Sequence, residues 1–143
     1  MEPRVNFITL ASHDLAAARA FYVDGLGWQP TFEVPEEVVF IQIGPGLLLS
    51  LWKADELDAD IGDGSHSTTG PSPFSLAHNV ASDDEVAAVI DRARAAGATI
   101  LKQPAIAFFG GLQGYFADPS GFRWEIAHNP GWSVAADGTV SIG

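Results

Sequence analysis

Residues 110–130 read GGLQGYFADPSGFRWEIAHNP, and the reading of this stretch decides the fold. Asp118-Pro119-Ser120-Gly121 carries the residues of a tight turn. The Asp side chain bonds its own backbone, Pro presets φ, and Gly accepts the φ > 0 conformation that closes the turn. Short apolar-aromatic runs flank it, Tyr115-Phe116-Ala117 before and Phe122 to Ala127 after, so the stretch is expected to form a β-hairpin. Glu125 stands alone in the second strand, between Trp124 and Ile126. A carboxylate there faces solvent or a cavity.

An offset of 75 positions carries Phe40 onto Tyr115, Gly46 onto Gly121 and Ser50 onto Glu125. The run Phe40 to Trp52 (FIQIGPGLLLSLW) therefore repeats the hairpin. A strand and a helix are expected upstream of each copy: Val5 to Leu10 then Asp14 to Leu26, and Phe74 to Val80 then Ser82 to Ala96. Each helix opens on a capping residue and ends on Gly, at Gly27 and Gly97. Val86, Val89, Ile90 and Ala93 give the second one an apolar face. Each half reads strand, helix, then about three strands. Such a repeat outweighs any single motif.

These residues resemble the vicinal oxygen chelate superfamily, which includes glyoxalase I, extradiol dioxygenases and bleomycin-resistance proteins. Asp14-Leu15, Phe21-Tyr22 and Leu26-Gly27-Trp28 match its opening signature. Phe116 to Gly121 followed by Trp124-Glu125 matches the closing one. The resemblance covers residues 5–130 and implies an α+β fold, with two βαβββ modules forming curled half-barrels around a cavity. Residues 1–143 then make one such domain: module 1 at about 5–52, a connector 53–73, module 2 at about 74–130 and a tail 131–143. In many relatives a second subunit completes the cavity, so a homodimer is expected.

Composition limits the alternatives. The length of 143 residues suits one compact unit with a sizeable core. No apolar run approaches the roughly 18 residues needed to span a bilayer, and no charged-then-apolar leader opens the chain, so a cytoplasmic location without membrane contact is the expectation. The absence of Cys excludes disulfides and thiolate chemistry. Seven Lys and Arg against a net charge of −11 argue against nucleic acid and favour cationic ligands. The connector from Lys53 to Pro73, rich in Asp, Gly, Ser and Pro, is expected to be a surface loop. Its Asp58, Asp60 and Asp63 do not make an EF-hand, which needs a Glu where Thr69 stands. The tail is expected to be loosely ordered.

By the resemblance, metal-dependent relatives take one ligand from the first and one from the last strand of each module. The last-strand positions here are Ser50 and Glu125, and the first-strand positions are Phe7 and Ser75, or Leu76 after a slip of one. A single carboxylate does not hold a divalent ion, so neither metal nor other cofactor is expected. The histidines do not compensate. His13 begins a helix, His66 lies in the connector, His128 follows the last strand, and His78 has the parity of the helix-facing residues.

Strand alternation sets Phe7 and Thr9, Phe40 and Gln42, Leu48, Ser50 and Trp52, and Tyr115 on the side of Glu125. Phe32 and the Phe108-Phe109-Gly110-Gly111 segment lie near the pocket mouth by the fold resemblance. Phe7, Phe40 and Leu48 serve equally as core, whereas Trp52, Tyr115, Phe108 and Phe109 favour a ligand. The expected ligand set is thus Phe7, Phe32, Phe40, Gln42, Ser50, Trp52, Phe108, Phe109, Tyr115 and Glu125. Two functions compete: a binding protein that sequesters an aromatic or cationic natural product such as an antibiotic, and a lyase, isomerase or dioxygenase using Glu125 as base or a rearranged metal site. The missing ligands favour binding.

Overall fold

The computed structural model describes residues 1, 3, 5–62 and 75–142. The chain forms two compact units, Met1–Gly70 and Pro71–Gly143, each with one curled four-stranded sheet. Phe74, Asp63, His66 and Thr69 lie outside the described residues.

In the first unit β1 (Phe7–Ser12) is followed by helix α1 (Leu15–Arg19), then β2 (Pro30–Val34), β3 (Val38–Gly44) and β4 (Leu47–Lys53). The sheet order is β1-β4-β3-β2, with β1 parallel to β4 and the other pairs antiparallel. Alternation puts Leu10, Leu49, Leu51, Val39 and Ile41 on one face, all nearly inaccessible, with Leu15, Ala18, Phe21 and Tyr22 of the helical segment. Each such Leu or Ile contributes about 1.5–3 kcal/mol by leaving water. Asp14 caps α1 by accepting from the Ala17 amide at 2.9 Å. The helix was expected to run to Leu26, but Ala20–Gly25 widens into a π-helical turn, with the Leu26 amide bonded to the Phe21 carbonyl. The wider turn lets two consecutive aromatics, Phe21 and Tyr22, both enter the core, their rings edge to face at 5.0 Å.

The second unit repeats the plan with β5 (Ser75–Asn79), α3 (Asp83–Ala95), β6 (Thr99–Ile106), β7 (Leu112–Ala117) and β8 (Arg123–Ala127), in the order β5-β8-β7-β6. Phe40 pairs with Ser50 as Tyr115 pairs with Glu125, so the 75-residue offset is a structural repeat. Ser82 caps α3, and the acidic first turn Asp83-Asp84-Glu85 opposes Arg92 and Arg94 in the last, the signs that suit the helix dipole. Val86, Ile90 and Ala93 are buried on the face of Phe116, Trp124 and Ile126. The hairpin turn forms as the sequence predicts. Asp118 accepts from the amides of Ser120 and Phe122 at 3.0 and 2.8 Å, and Gly121 has φ 89°.

Two expectations need correction. The connector is not all loop, because α2 (Ala54–Ile61) follows β4 directly. Ala54, Leu57 and Ile61 are spaced for one helical face, Asp55 and Glu56 suit the first turn, and Gly62 closes the end at φ 65°. The tail forms a hairpin of β9 (Trp132–Val134) and β10 (Val140–Ile142). Its Asp137-Gly138 turn places Gly138 at φ 86° and bonds the Asp137 carboxylate to the Thr139 amide at 2.9 Å.

Candidate functional site

In each unit one sheet face packs on its helix and the other stays open. Register fixes what the open faces carry. In the first unit Phe7 and Thr9 of β1, Leu48, Ser50 and Trp52 of β4, Phe40 and Gln42 of β3 and Phe32 of β2 share the open face. Three rings form a row across it: Phe7 meets Phe40 edge-on at 5.2 Å, and Phe40 meets Phe32 at 5.6 Å. Phe7 is 47% and Phe32 53% exposed, unusual for rings that touch others.

Ser50 lies on β4 between the strands of Phe7 and Phe40 and is only 2% exposed. It was expected to line a cavity, yet the two rings meeting across its strand leave it as floor. Gln42 was expected to meet ligand, but its amide donates to the carbonyls of Gly44 and Leu47, the latter at 3.3 Å, and so braces the β3–β4 turn. Trp52 is half-buried on the same face.

The second unit's open face is polar. Tyr115 stands opposite Glu125 and Gln113 opposite Ala127, while Lys102 of β6 stands opposite Tyr115. Lys102 Nζ donates to Gln113 Oε1 at 2.8 Å. Gln113 Nε2 donates to the Tyr115 hydroxyl at 3.2 Å and to Glu125 Oε1. The Tyr115 phenol is pushed above its ordinary range, first by burial and then by the neighbouring Glu125 carboxylate. An ammonium only donates and a carboxylate only accepts, so the Gln113 amide has one compatible orientation. Glu125 thus stands beside a tyrosine on this face.

Gln113 has the parity of Tyr115 and was accessible to the alternation argument. Lys102 was not. Ile100 stands opposite Phe116 on the helix side, and a bulge at Leu101 turns Lys102 to the opposite face. Its Nζ sits 5.9 Å from the Tyr115 ring centre, so this ring face is covered by a cation rather than offered for stacking. Phe108 and Phe109 pack edge to face at 5.3 Å at the β6–β7 hairpin tip, beyond Gln113, and Phe108 is fully exposed.

The family metal does not fit these residues. The four positions hold Phe7, Ser50, Ser75 and Glu125, and the residues directly beside Ser50 and Glu125 in the parallel ladders are Thr9 and Ala77. Leu76 pairs with Trp124 on the opposite face. Among the described residues no three His, Asp or Glu side chains are grouped to hold an ion. His128 Nδ1 contacts Asp83 Oδ1 at 2.7 Å, and the same oxygen accepts from the Leu112 amide at 3.2 Å, a tie between α3 and β7. The imidazole of His78 is held below its ordinary range, chiefly by desolvation, with Glu85 of α3 opposing.

On the helix side of the first sheet, between α1 and the β2–β3 turn, lies a groove of about 600 Å³. His13, Arg19, Glu33, Glu36 and Lys53 line it, with Val34, Pro35 and Val39 as its apolar part. Arg19 closes one wall through Nε to Glu33 at 2.9 Å. Val39 and Glu33 have the parity opposite to Phe40 and Phe32, so the groove and the aromatic row lie on opposite faces of the sheet. Volume alone does not assign function. The open faces carry the exposed rings and the hydrogen-bonded carboxylate, which makes them the candidate surfaces.

Comparison with known proteins agrees with this architecture. The model of the Glyoxalase/Bleomycin resistance protein/Dioxygenase superfamily matches residues 4–126. The chain belongs to that superfamily. No helix among the described residues is long and apolar enough to cross a membrane. This superfamily member is 42% identical to a glyoxalase-related enzyme from Fulvimarina pelagi, with a TM-score of 0.88 and 99% of each chain covered. A glyoxalase/bleomycin resistance protein/dioxygenase from Nocardioides is 26% identical, with a TM-score of 0.70 over 90% of this chain and 84% of that one. Lactoylglutathione lyase from Agrobacterium tumefaciens, at 24% identity, shares the fold with a TM-score of 0.67 over 88% of this chain and 93% of that one. No curated protein matches.

Proposed function

We propose that this superfamily member is a small-molecule-binding protein that holds a flat aromatic or amphipathic compound, with a preference for cations, without a metal. One observation carries the reading: Phe7, Phe40 and Phe32 form a continuous ring row that remains half exposed on a sheet face. An aromatic surface of this kind suits a planar partner, each good ring contact adding about 0.5–1.5 kcal/mol beyond area burial. The net charge of −11 favours a cationic group. Sequestration of a natural product such as an antibiotic is the role that follows, inside the cell and in a homodimer. The outer strands β1 and β2 leave sheet edges that a second copy would cover. Light scattering at micromolar concentration should give twice the chain mass, and a monomer would refute the dimer.

The name of the Fulvimarina pelagi relative favours a second reading, catalysis with Glu125 as general base. Against it, Glu125 already accepts from Gln113. Tryptophan-fluorescence titration with aromatic antibiotics, cationic and neutral, tests the proposal. Saturable quenching by cationic members, stronger than by neutral ones, is expected. Quenching by none of them would remove it.

A further inference from the structure

The row on the second sheet holds two opposite charges joined through one amide. Lys102 and Glu125 stand at its ends, and Gln113 turns Oε1 to the ammonium and Nε2 to the carboxylate. The amide thus does inside the chain what an incoming head group would do outside it. It places an acceptor on the cation and a donor on the anion.

Neither end is saturated by the contacts described. The ammonium has three donors, and one is used on Gln113. The carboxylate has about four lone-pair sites, of which Gln113 takes one. Lys102 is exposed, and Gln113, Tyr115 and Glu125 are half-buried, so the row is reachable while its inner end is partly dry. The Leu101 bulge is what brings the cation to this face. Without it, Lys102 would follow Ile100 towards α3 and the row would carry a carboxylate alone.

We infer that Lys102 and Glu125 form a head-group site for a zwitterion, a protonated amine and a carboxylate close together on one small molecule. This rests on the binding function proposed above and narrows it, since a cation alone at Glu125 would face the Lys102 charge with nothing to offset it. The ligand amine donates to Glu125 and its carboxylate accepts from Lys102, both charge-assisted. Gln113 between them keeps the two charges apart and correctly oriented. The exposed Phe108, packed on half-buried Phe109 at the hairpin tip beyond Gln113, supplies apolar surface for the remainder of such a molecule.

Isothermal titration of the full chain with three probes of one skeleton tests this: phenylalanine, phenethylamine and 3-phenylpropionate. Phenylalanine should bind at least tenfold tighter than either singly charged probe. Lys102→Met should bring phenylalanine to the level of phenethylamine and leave phenethylamine unchanged. Glu125→Gln should do the converse against 3-phenylpropionate. Phenethylamine binding as tightly as phenylalanine, or Lys102→Met weakening both equally, would overturn the zwitterion site while leaving a cation-binding protein. Binding of none of the three would overturn the zwitterion site, and the antibiotic titration above would then decide the broader function separately. Circular dichroism of both variants should match the wild type, since both residues lie on the open face.

Discussion

Gly110 and Gly111 are adjacent, yet replacing each by alanine should have very different consequences. A Cβ built on Gly111 would sit 1.8 Å from the His128 carbonyl oxygen, 2.9 Å from its carbon and 2.9 Å from Pro130 Cδ. No side-chain rotation relieves that clash, because the nearest atoms are backbone. That backbone is itself held, with the His128 amide bonded to the Leu112 carbonyl at 3.0 Å and its ring to Asp83. Overpacking ordinarily costs about 1–3 kcal/mol, and a clash against fixed backbone belongs at or above the upper end. Gly110, by contrast, has nothing within 4 Å of its Cβ position and suffers only from its φ of +84°. That conformation costs an L-residue about 1–2 kcal/mol. Thermal unfolding should therefore show Gly111→Ala lowered by roughly 10 °C or more and Gly110→Ala by less than half of that. Gly111→Ala should also displace Gln113 at the start of β7 and weaken ligand binding. Equal shifts for the two variants would refute the argument, because only backbone conformation would then matter.

Glu36 is the one described non-glycine residue with positive φ, at 64°, in the turn closed by the Glu37 amide on the Val34 carbonyl. Glu36→Gly should stabilise by about 0.5–1 kcal/mol, the relieved conformation outweighing the added chain freedom; chemical denaturation showing a loss would contradict this. The raised Tyr115 pKa means that the folded state favours the neutral phenol. Its contribution is complete below the ordinary value of 10.0 and is lost as pH rises through the higher folded value. Denaturation against pH should fall less steeply above about pH 10 in Tyr115→Phe than in the wild type. His78 acts in the opposite direction: its lowered pKa gives a contribution present above 6.5 and lost as pH falls through the folded value. His78→Gln should flatten the acid limb of the stability profile, and an unchanged limb would contradict the desolvation argument.

The repeat of Phe40–Ser50 on Tyr115–Glu125 was legible because both modules obey the same strand alternation around a glycine turn. The same alternation marked Phe7, Phe40 and Tyr115 as sharing faces with Ser50 or Glu125. It could not foresee that Ser50 would lie beneath two rings, since that depends on side chains two strands apart. Lys102 escaped it because a bulge reverses parity, and a one-residue insertion leaves no mark in the composition of TILKQPAI. The helix at 54–61 was obscured by its many Asp residues, which read as loop although three apolar positions kept helical spacing. The Asp137-Gly138 hairpin carried a clear turn pair that the weak polarity of its strands concealed.

The central claim is that the open aromatic face of the first sheet binds a flat aromatic molecule without a metal. Fluorescence titration of chelator-treated protein with a cationic aromatic antibiotic tests it most directly, with Phe40→Ala measured beside the wild type. The account predicts saturable binding that the chelator leaves unchanged and that Phe40→Ala weakens by about tenfold, the equivalent of 1.4 kcal/mol. Binding that appears only with an added divalent metal, and disappears together with the metal in Glu125→Gln, would contradict it.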